Sequence, residues 1–385
     1  MAPRYPEVVL KRPLKILQVS RVYWPNLGGM EKIAQGLAEN LIQKGHQCDV
    51  VTLNRSFEDG SDYPPYSHLN GVNVYRIPFL GSTRYPIAPK VLRFVDRYDI
   101  VHVHGVDFLL DWLVFNRRRH QKPIVLSTHG GFFHTDFLKA AKKTWFNTMT
   151  RNTLRGVDRV LASSEHDLEL FERISPRCEL ARNAVDLTEY RTLKNRPKKG
   201  RFVCVGRVDV HKGIGNLLKA LAELKKQGGD PFTMHIIGPV VVDGLLGSLE
   251  AQRAELGLDK DVIFEGRIEF ERLFELMETA ELAIFPSEYE AFGISVVEAM
   301  GAGVTSILND IEPFRHFVQN GINGFLADFS SPASAAETLS RARALPKKKK
   351  AALGKLARQK ALEYDWKATV DRFEALYVDV LEAKA

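Results

Sequence analysis

Short β-rich runs alternate with longer amphipathic ones along this chain, stop at a polar stretch, and then begin again. LKILQVSRVY, HQCDVVTL, VNVYRIP, YDIVHVHG, PIVLSTHGG and VDRVLASSE form the first set. Between several of them lie segments such as MEKIAQGLAENLIQKG, whose apolar residues recur at three- and four-residue spacing and which ends on Gly45. After LKNRPKKG the pattern restarts with RFVCVGRV, FTMHIIG, DVIFEG, AELAIFPS and VTSILND. Apolar strands alternating with helices predict parallel sheets covered on both faces. The repeat therefore predicts an α/β protein of two doubly wound domains, with ligands beyond the carboxyl ends of the strands. A chain of 385 residues suits two such cores. We expect an N-terminal domain over residues 1–187, a second over 188–365, and an amphipathic terminal helix within WKATVDRFEALYVDVL.

Composition narrows the class further. Cys48, Cys178 and Cys204 stand far apart in strand-like contexts, which predicts buried thiols in a reducing compartment. The start, MAPRYPEVVLKRP, has no long apolar run, so no secretory leader is expected. No stretch offers ~18 consecutive apolar residues for a membrane span. The formal charge of +7 is one-sided. Residues 1–187 hold 26 basic and 19 acidic side chains, and residues 188–385 hold 28 of each. Such a field fits solubility, or a partner that is a phosphorylated ligand, an anionic membrane or a nucleic acid.

Several motifs carry chemistry. In VGRVDVHKG, Arg207 and Lys212 follow a strand, with Gly213 and Gly215 allowing close backbone approach. A guanidinium fork and an ammonium point charge suit a diphosphate. In EYEAFGISVVEAM, Glu290 lies on a loop after Pro286, Gly293 begins a helix, and Glu298 sits one to two turns along it. Carboxylates accept hydrogen bonds from hydroxyls, and free amides at a helix start favour anions. Helix capping by Glu290 and a solvated helix face for Glu298 are the plainer alternatives. Gly28 and Gly29 precede a helix after the first strand, where they either bring amides to an anion or make a turn. His129 ends a strand in THGG. Of His102 and His104, alternating with Val in DIVHVHG, at least one reads as a hydrogen-bonded core residue. There is no G-x-G-x-x-G after the first strand, which argues against a dinucleotide oxidoreductase. The single D-x-D, Asp259-Lys260-Asp261, reads as a surface turn, so no divalent metal cofactor is expected. Residues 132–155 mix Phe132, Phe133, Phe137, Trp145 and Phe146 with Lys139, Lys142, Lys143, Arg151 and Arg155. That mixture suits either a core helix or a membrane headgroup layer.

Taken together, G-R-x₄-K-G and E-[AG]-F-G-x₄-E, with the Gly-Gly loop, DIVHVHG, THGG, NGFLA and the Trp-containing terminal helix, resemble the retaining glycosyltransferases of family 4. The likeness spans nearly the whole chain. It implies the GT-B fold, two Rossmann-like domains facing across a cleft, with residues 366–385 crossing back to the first. It implies that Glu290 and His129 lie beside the donor sugar, with the backbone of Ala291, Phe292 and Gly293 binding its hydroxyls. Glu298 would bind the ribose, Arg207 and Lys212 the diphosphate, and Arg267 and Ile268 the base. Gly28 and Gly29 would face the diphosphate or the acceptor. The reaction implied is transfer of a sugar from a nucleoside-diphosphate donor to a glycan hydroxyl, with same-face attack. The nearest likeness is to bacterial exopolysaccharide or O-antigen transferases. GDP-mannose is the first donor expectation, with a UDP-sugar the alternative. A lipid-diphosphate-linked acceptor at the cytoplasmic face of the membrane is expected from the basic first half. A nucleotide-sugar epimerase is a rival reading. A nucleic-acid binder is disfavoured, because Glu290 and Glu298 would repel phosphates. One departure stands out: Arg182-Asn183-Ala184-Val185-Asp186 replaces the family's P-N-G-V-D.

Overall fold

The computed structural model describes residues 12–25, 28–57, 60–83, 85–130, 144–228 and 230–384. These fall into two compact units, Met1–Val185 with Trp366–Ala385, and Asp186–Asp365.

The first unit is built on an eight-stranded sheet. Its strands are β1 (Lys15–Ser20), β2 (Gln47–Leu53), β3 (Tyr66–Leu69), β4 (Val72–Ile77), β7 (Ile100–His104), β8 (Ile124–Ser127), β9 (Arg159–Ala162) and β10 (Cys178–Leu180). A separate hairpin joins β5 (Leu80–Ser82) to β6 (Tyr85–Ile87). The sheet order is β10-β9-β8-β7-β1-β2-β4-β3, parallel except for β3. Strands β1, β7 and β8 are buried along almost their whole length, as a parallel sheet covered on both faces requires. Leu17, Val19, Val51, Val101, Val103 and Leu126 form the middle of its core. The terminal helix Trp366–Glu382 packs in this unit against helix Gly29–Gln43. Contact is so close that a Cβ on Gly36 would lie 2.3 Å from the Trp366 indole nitrogen.

The second unit holds β11 (Arg201–Val205), β12 (Thr233–Ile237), β13 (Val262–Gly266), β14 (Leu282–Phe285), β15 (Thr305–Asn309) and β16 (Phe325–Ala327). Every pairing is parallel and the order is β13-β12-β11-β14-β15-β16. The chain winds outward from β11 to β13, returns to β14 and winds outward the other way. The loops after β11 and β14 are therefore neighbours at the carboxyl edge, where a doubly wound sheet opens a crevice. Helix Ile214–Lys226 buries Leu217, Leu218, Leu221 and Leu224 against this sheet, the 3.6-residue stripe of an amphipathic helix. In the first unit the corresponding reversal lies between β1 and β7.

Candidate functional site

At the reversal of the second unit, the turn after β11 is set by a capping carboxylate and a close backbone approach. Asp209 caps the short helix Val210–Lys212, its carboxylate accepting from the amides of His211 at 2.8 Å and Lys212 at 3.1 Å. Gly213 then turns with φ 65°, and a Cβ there would lie 2.3 Å from the Pro286 carbonyl oxygen on the loop after β14. A second tie runs from the Glu288 amide to the His211 carbonyl at 2.8 Å. Two backbones in contact bring their side chains together. Lys212 Nζ donates to Glu290 Oε2 at 2.5 Å, with both side chains mostly shielded (24% and 20% exposed). Arg207 is exposed on the same loop and makes no ion pair among the described residues.

Gly293, with φ 106°, starts helix Ile294–Gly301, whose first amides have no partner within the helix. Glu290 is therefore not the helix cap; its carboxylate is engaged by Lys212. Glu298 is 7% exposed and so does not lie on a solvated face. It accepts the Tyr190 hydroxyl, and burial together with that carboxylate holds the phenol well above its ordinary range. The Phe292 side chain is taken up by packing on Phe317 and Tyr364 at 5.3 and 5.6 Å between ring centres, which leaves the loop its backbone. Ala291 is half-buried beside it. Arg267, exposed, and Ile268, half-buried, follow β13 at the same edge of the sheet.

In the first unit, His129 follows β8 with φ 55°, a left-handed backbone that few residues other than glycine adopt. Its Nε2 lies 2.7 Å from His104 Nδ1. His102 and His104 are both fully buried and both hydrogen-bonded: His102 to the Tyr377 hydroxyl at 2.6 Å and Ser127 Oγ at 2.8 Å, His104 to His129 and Gln18. Burial pushes the His102 imidazolium down to about 3 and His129 down to about 4, the latter partly offset by Asn183 beside it. Gly28 caps helix Gly29–Gln43, and Gly29 is its first residue. A Cβ on Gly28 would fall 2.1 Å from the Glu31 carboxylate. The Glu31 carboxylate thus fills the space where a side chain at position 28 would sit.

Sequence reasoning missed Asp209, Tyr190 and Gln18. Asp209 was accessible as a capping acid before a short turn, and Gln18 as a polar residue inside an apolar strand. Tyr190 carries no local signal. Of the basic aromatic segment, residues 131–143 lie outside the described residues. Of the rest, Phe146 is buried and Trp145 exposed. Among the described residues no helix is long and apolar enough to cross a membrane, and no cluster of three metal-ligating side chains occurs.

Comparison with known proteins gives two family matches, "Glycosyltransferase Family 4" over residues 27–189 and "Glycosyl transferases group 1" over residues 188–360. A GDP-mannose:cellobiosyl-diphosphopolyprenol alpha-mannosyltransferase of Xanthomonas campestris is 34% identical over 370 residues, covering 94% of this chain and 95% of that protein. One of the same name from Komagataeibacter xylinus is 33% identical, covering 96% and 94%. Among solved structures, sucrose-phosphate synthase from Thermosynechococcus elongatus superposes with a TM-score of 0.75 at 21% identity, over 96% of this chain and 100% of that one. Anabaena HepE in complex with UDP and glucose gives 0.73 at 19%, over 95% and 99%.

Proposed function

The chain is a glycosyltransferase of family 4 with the GT-B fold, and on that premise we propose that it moves a mannosyl residue, with retention, from GDP-mannose to a hydroxyl of a lipid-diphosphate-linked glycan. The observation that carries this reading is the Lys212–Glu290 contact at the strand-order reversal, with Arg207 exposed on the same loop. The choice of donor and acceptor rests on the relatives that are one-third identical along almost their whole length.

The chemistry follows from charge. As the bond from the sugar's anomeric carbon to the diphosphate oxygen breaks, negative charge grows on the leaving oxygen. Groups placed for that charge favour the transition state over the bound donor. Lys212 and Arg207 supply two cations, so in this proposal no divalent metal is required. Glu290 holds Lys212 before the donor arrives and accepts a sugar hydroxyl once the ammonium turns to phosphate. Glu298, immobilised by Tyr190, accepts the ribose hydroxyls. Ala291–Gly293 and His129 contact the sugar, and Arg267–Ile268 edge the base.

GDP-mannose in large excess over its Kd should raise the melting temperature by mass action, equivalent to about 2.7 kcal/mol at a hundredfold excess. The protein should also transfer mannose from it to a polyprenyl-diphosphate disaccharide in EDTA. A larger shift with UDP-sugars, or dependence on added metal, would count against this reading.

The lipid-linked acceptor gives the basic first unit a reason. Phe115, 79% exposed, stacks on Trp112, and Leu80, Tyr85, Trp145 and Met149 are exposed in the same unit, with Arg118 and Arg119 exposed beside Phe115 in sequence. We expect the protein to float with anionic liposomes at low salt and to be released as ionic strength rises. Equal flotation with neutral lipid alone would remove the electrostatic part of this account.

A further inference from the structure

We propose that Gln18 and His104 are positioning residues that fix His129 in the Nδ1–H form, so that its ring offers a hydrogen-bond donor to an oxygen of the ligand. The inference rests on the proposed function only for what that oxygen is, a hydroxyl of the transferred sugar.

The argument starts from two backbone groups whose roles cannot be exchanged. The Gln18 side-chain amide lies between the Ala34 carbonyl at 3.1 Å and the Ala38 amide at 3.0 Å, both on helix Gly29–Gln43. A carbonyl only accepts and a peptide N–H only donates. The Gln18 nitrogen must therefore face Ala34 and its oxygen Ala38. That same nitrogen lies 2.7 Å from His104 Nε2 and donates to it. His104 is fully buried among uncharged rings, and burial holds it neutral. A neutral imidazole that accepts at Nε2 carries its proton on Nδ1. His104 Nδ1 therefore donates to His129 Nε2 across 2.7 Å. His129, neutral for the same reason, then holds its own proton on Nδ1. That atom is buried and, among the described residues, meets no partner in bonding geometry, Asn183 beside it included. A buried donor left unsatisfied is costly, and a ligand oxygen relieves that cost.

Each link is geometrically fixed. Gln18 and His104 sit on adjacent paired strands, β1 and β7, and His104 is in register with Ser127 at the end of β8, two residues before His129. The stacked rings of His104 and His129 lie 5.0 Å apart between centres. The Tyr377 hydroxyl and Ser127 Oγ occupy both nitrogens of His102, so His102 does not compete for the chain.

The deciding measurement is a two-bond proton–nitrogen NMR spectrum of the full-length protein labelled with ¹⁵N-histidine, assigned with His104→Phe and His129→Asn. The unliganded wild type should show both His104 and His129 protonated at Nδ1 at pH 7.5. A His129 protonated at Nε2, or charged, would overturn the proposal whether or not the enzyme uses mannose. Conversely, the Nδ1–H form in a protein inactive with every donor would retain the relay and remove the proposed function. His104→Phe should leave His129 a mixture of tautomers and lower kcat about 10-fold, the scale of one hydrogen bond, with donor KM within about twofold. His104→Gln, whose amide can accept from Gln18 and donate onward, should restore most of both. A variant that lost stability but kept the wild-type tautomer would mark His104 as purely structural.

Discussion

Replacing Lys212 with alanine should lower kcat/KM by about 100- to 1,000-fold, the range found when one preorganised charge stabiliser is lost from a site. The fold should survive, because the side chain is not part of the core and the turn around it is held by Asp209, Gly213 and backbone bonds. Glu290→Gln should cost less. An amide still accepts from a sugar hydroxyl, whereas the alanine variant loses the cation and leaves the Glu290 carboxylate without its partner. Because the two groups touch, the double variant should be less impaired than the sum of the single losses. Steady-state release of the nucleoside diphosphate, with melting temperatures measured in parallel, checks all three. Activity of Lys212→Ala within threefold of wild type, in a folded protein, would end the assignment of this loop.

Acid should unfold the first unit before the second. Folding lowers the pKa of His102 to about 3 and of His129 to about 4, from an ordinary value of 6.5, and lowers His104 as well. Between those values the unfolded chain binds protons that the native rings do not, so stability rises with pH across the window. The contribution is complete above about 6.5 and falls as the pH drops towards 4. At pH 5 the His102 and His129 rings each cost about 2 kcal/mol relative to neutral pH, a large share of a domain's stability, and burial of His104 acts in the same direction. All four tryptophans, Trp24, Trp112, Trp145 and Trp366, belong to the first unit, so their fluorescence reads that unit alone. Its melting temperature should fall steeply between pH 6.5 and 5 while helical circular dichroism from the second unit persists. An unchanged fluorescence transition over that range would show that the rings titrate freely.

Much of the architecture was legible because central parallel strands are nearly all apolar and stand out against amphipathic helices. All eleven runs read as strands coincide with strands of the two sheets. The elements not read, β3, β5, β6, β10 and β16, are three or four residues long and lie at edges or in a hairpin, where apolar pattern fades. The site was legible as residue types and not as contacts. Lys212 and Glu290 are 78 positions apart, and their meeting depends on β14 pairing with β11 instead of with β13. No local pattern encodes that choice. The histidine chain was half visible. Gln18, His102 and His104 interrupt apolar strands, which marks them as buried and paired, but the packing of helix Gly29–Gln43 against Gln18, which orients its amide, is known only from the fold.

Gly213 seated against the Pro286 carbonyl has a bearing on redesign. The two peptide planes leave no room for even a methyl group, so neither loop can lengthen by a residue without prising the other away. Any attempt to teach this protein a different sugar must therefore be written in side chains around a rigid seam. Grafting whole loops from a cousin of another length would dismantle the cradle before it altered the choice.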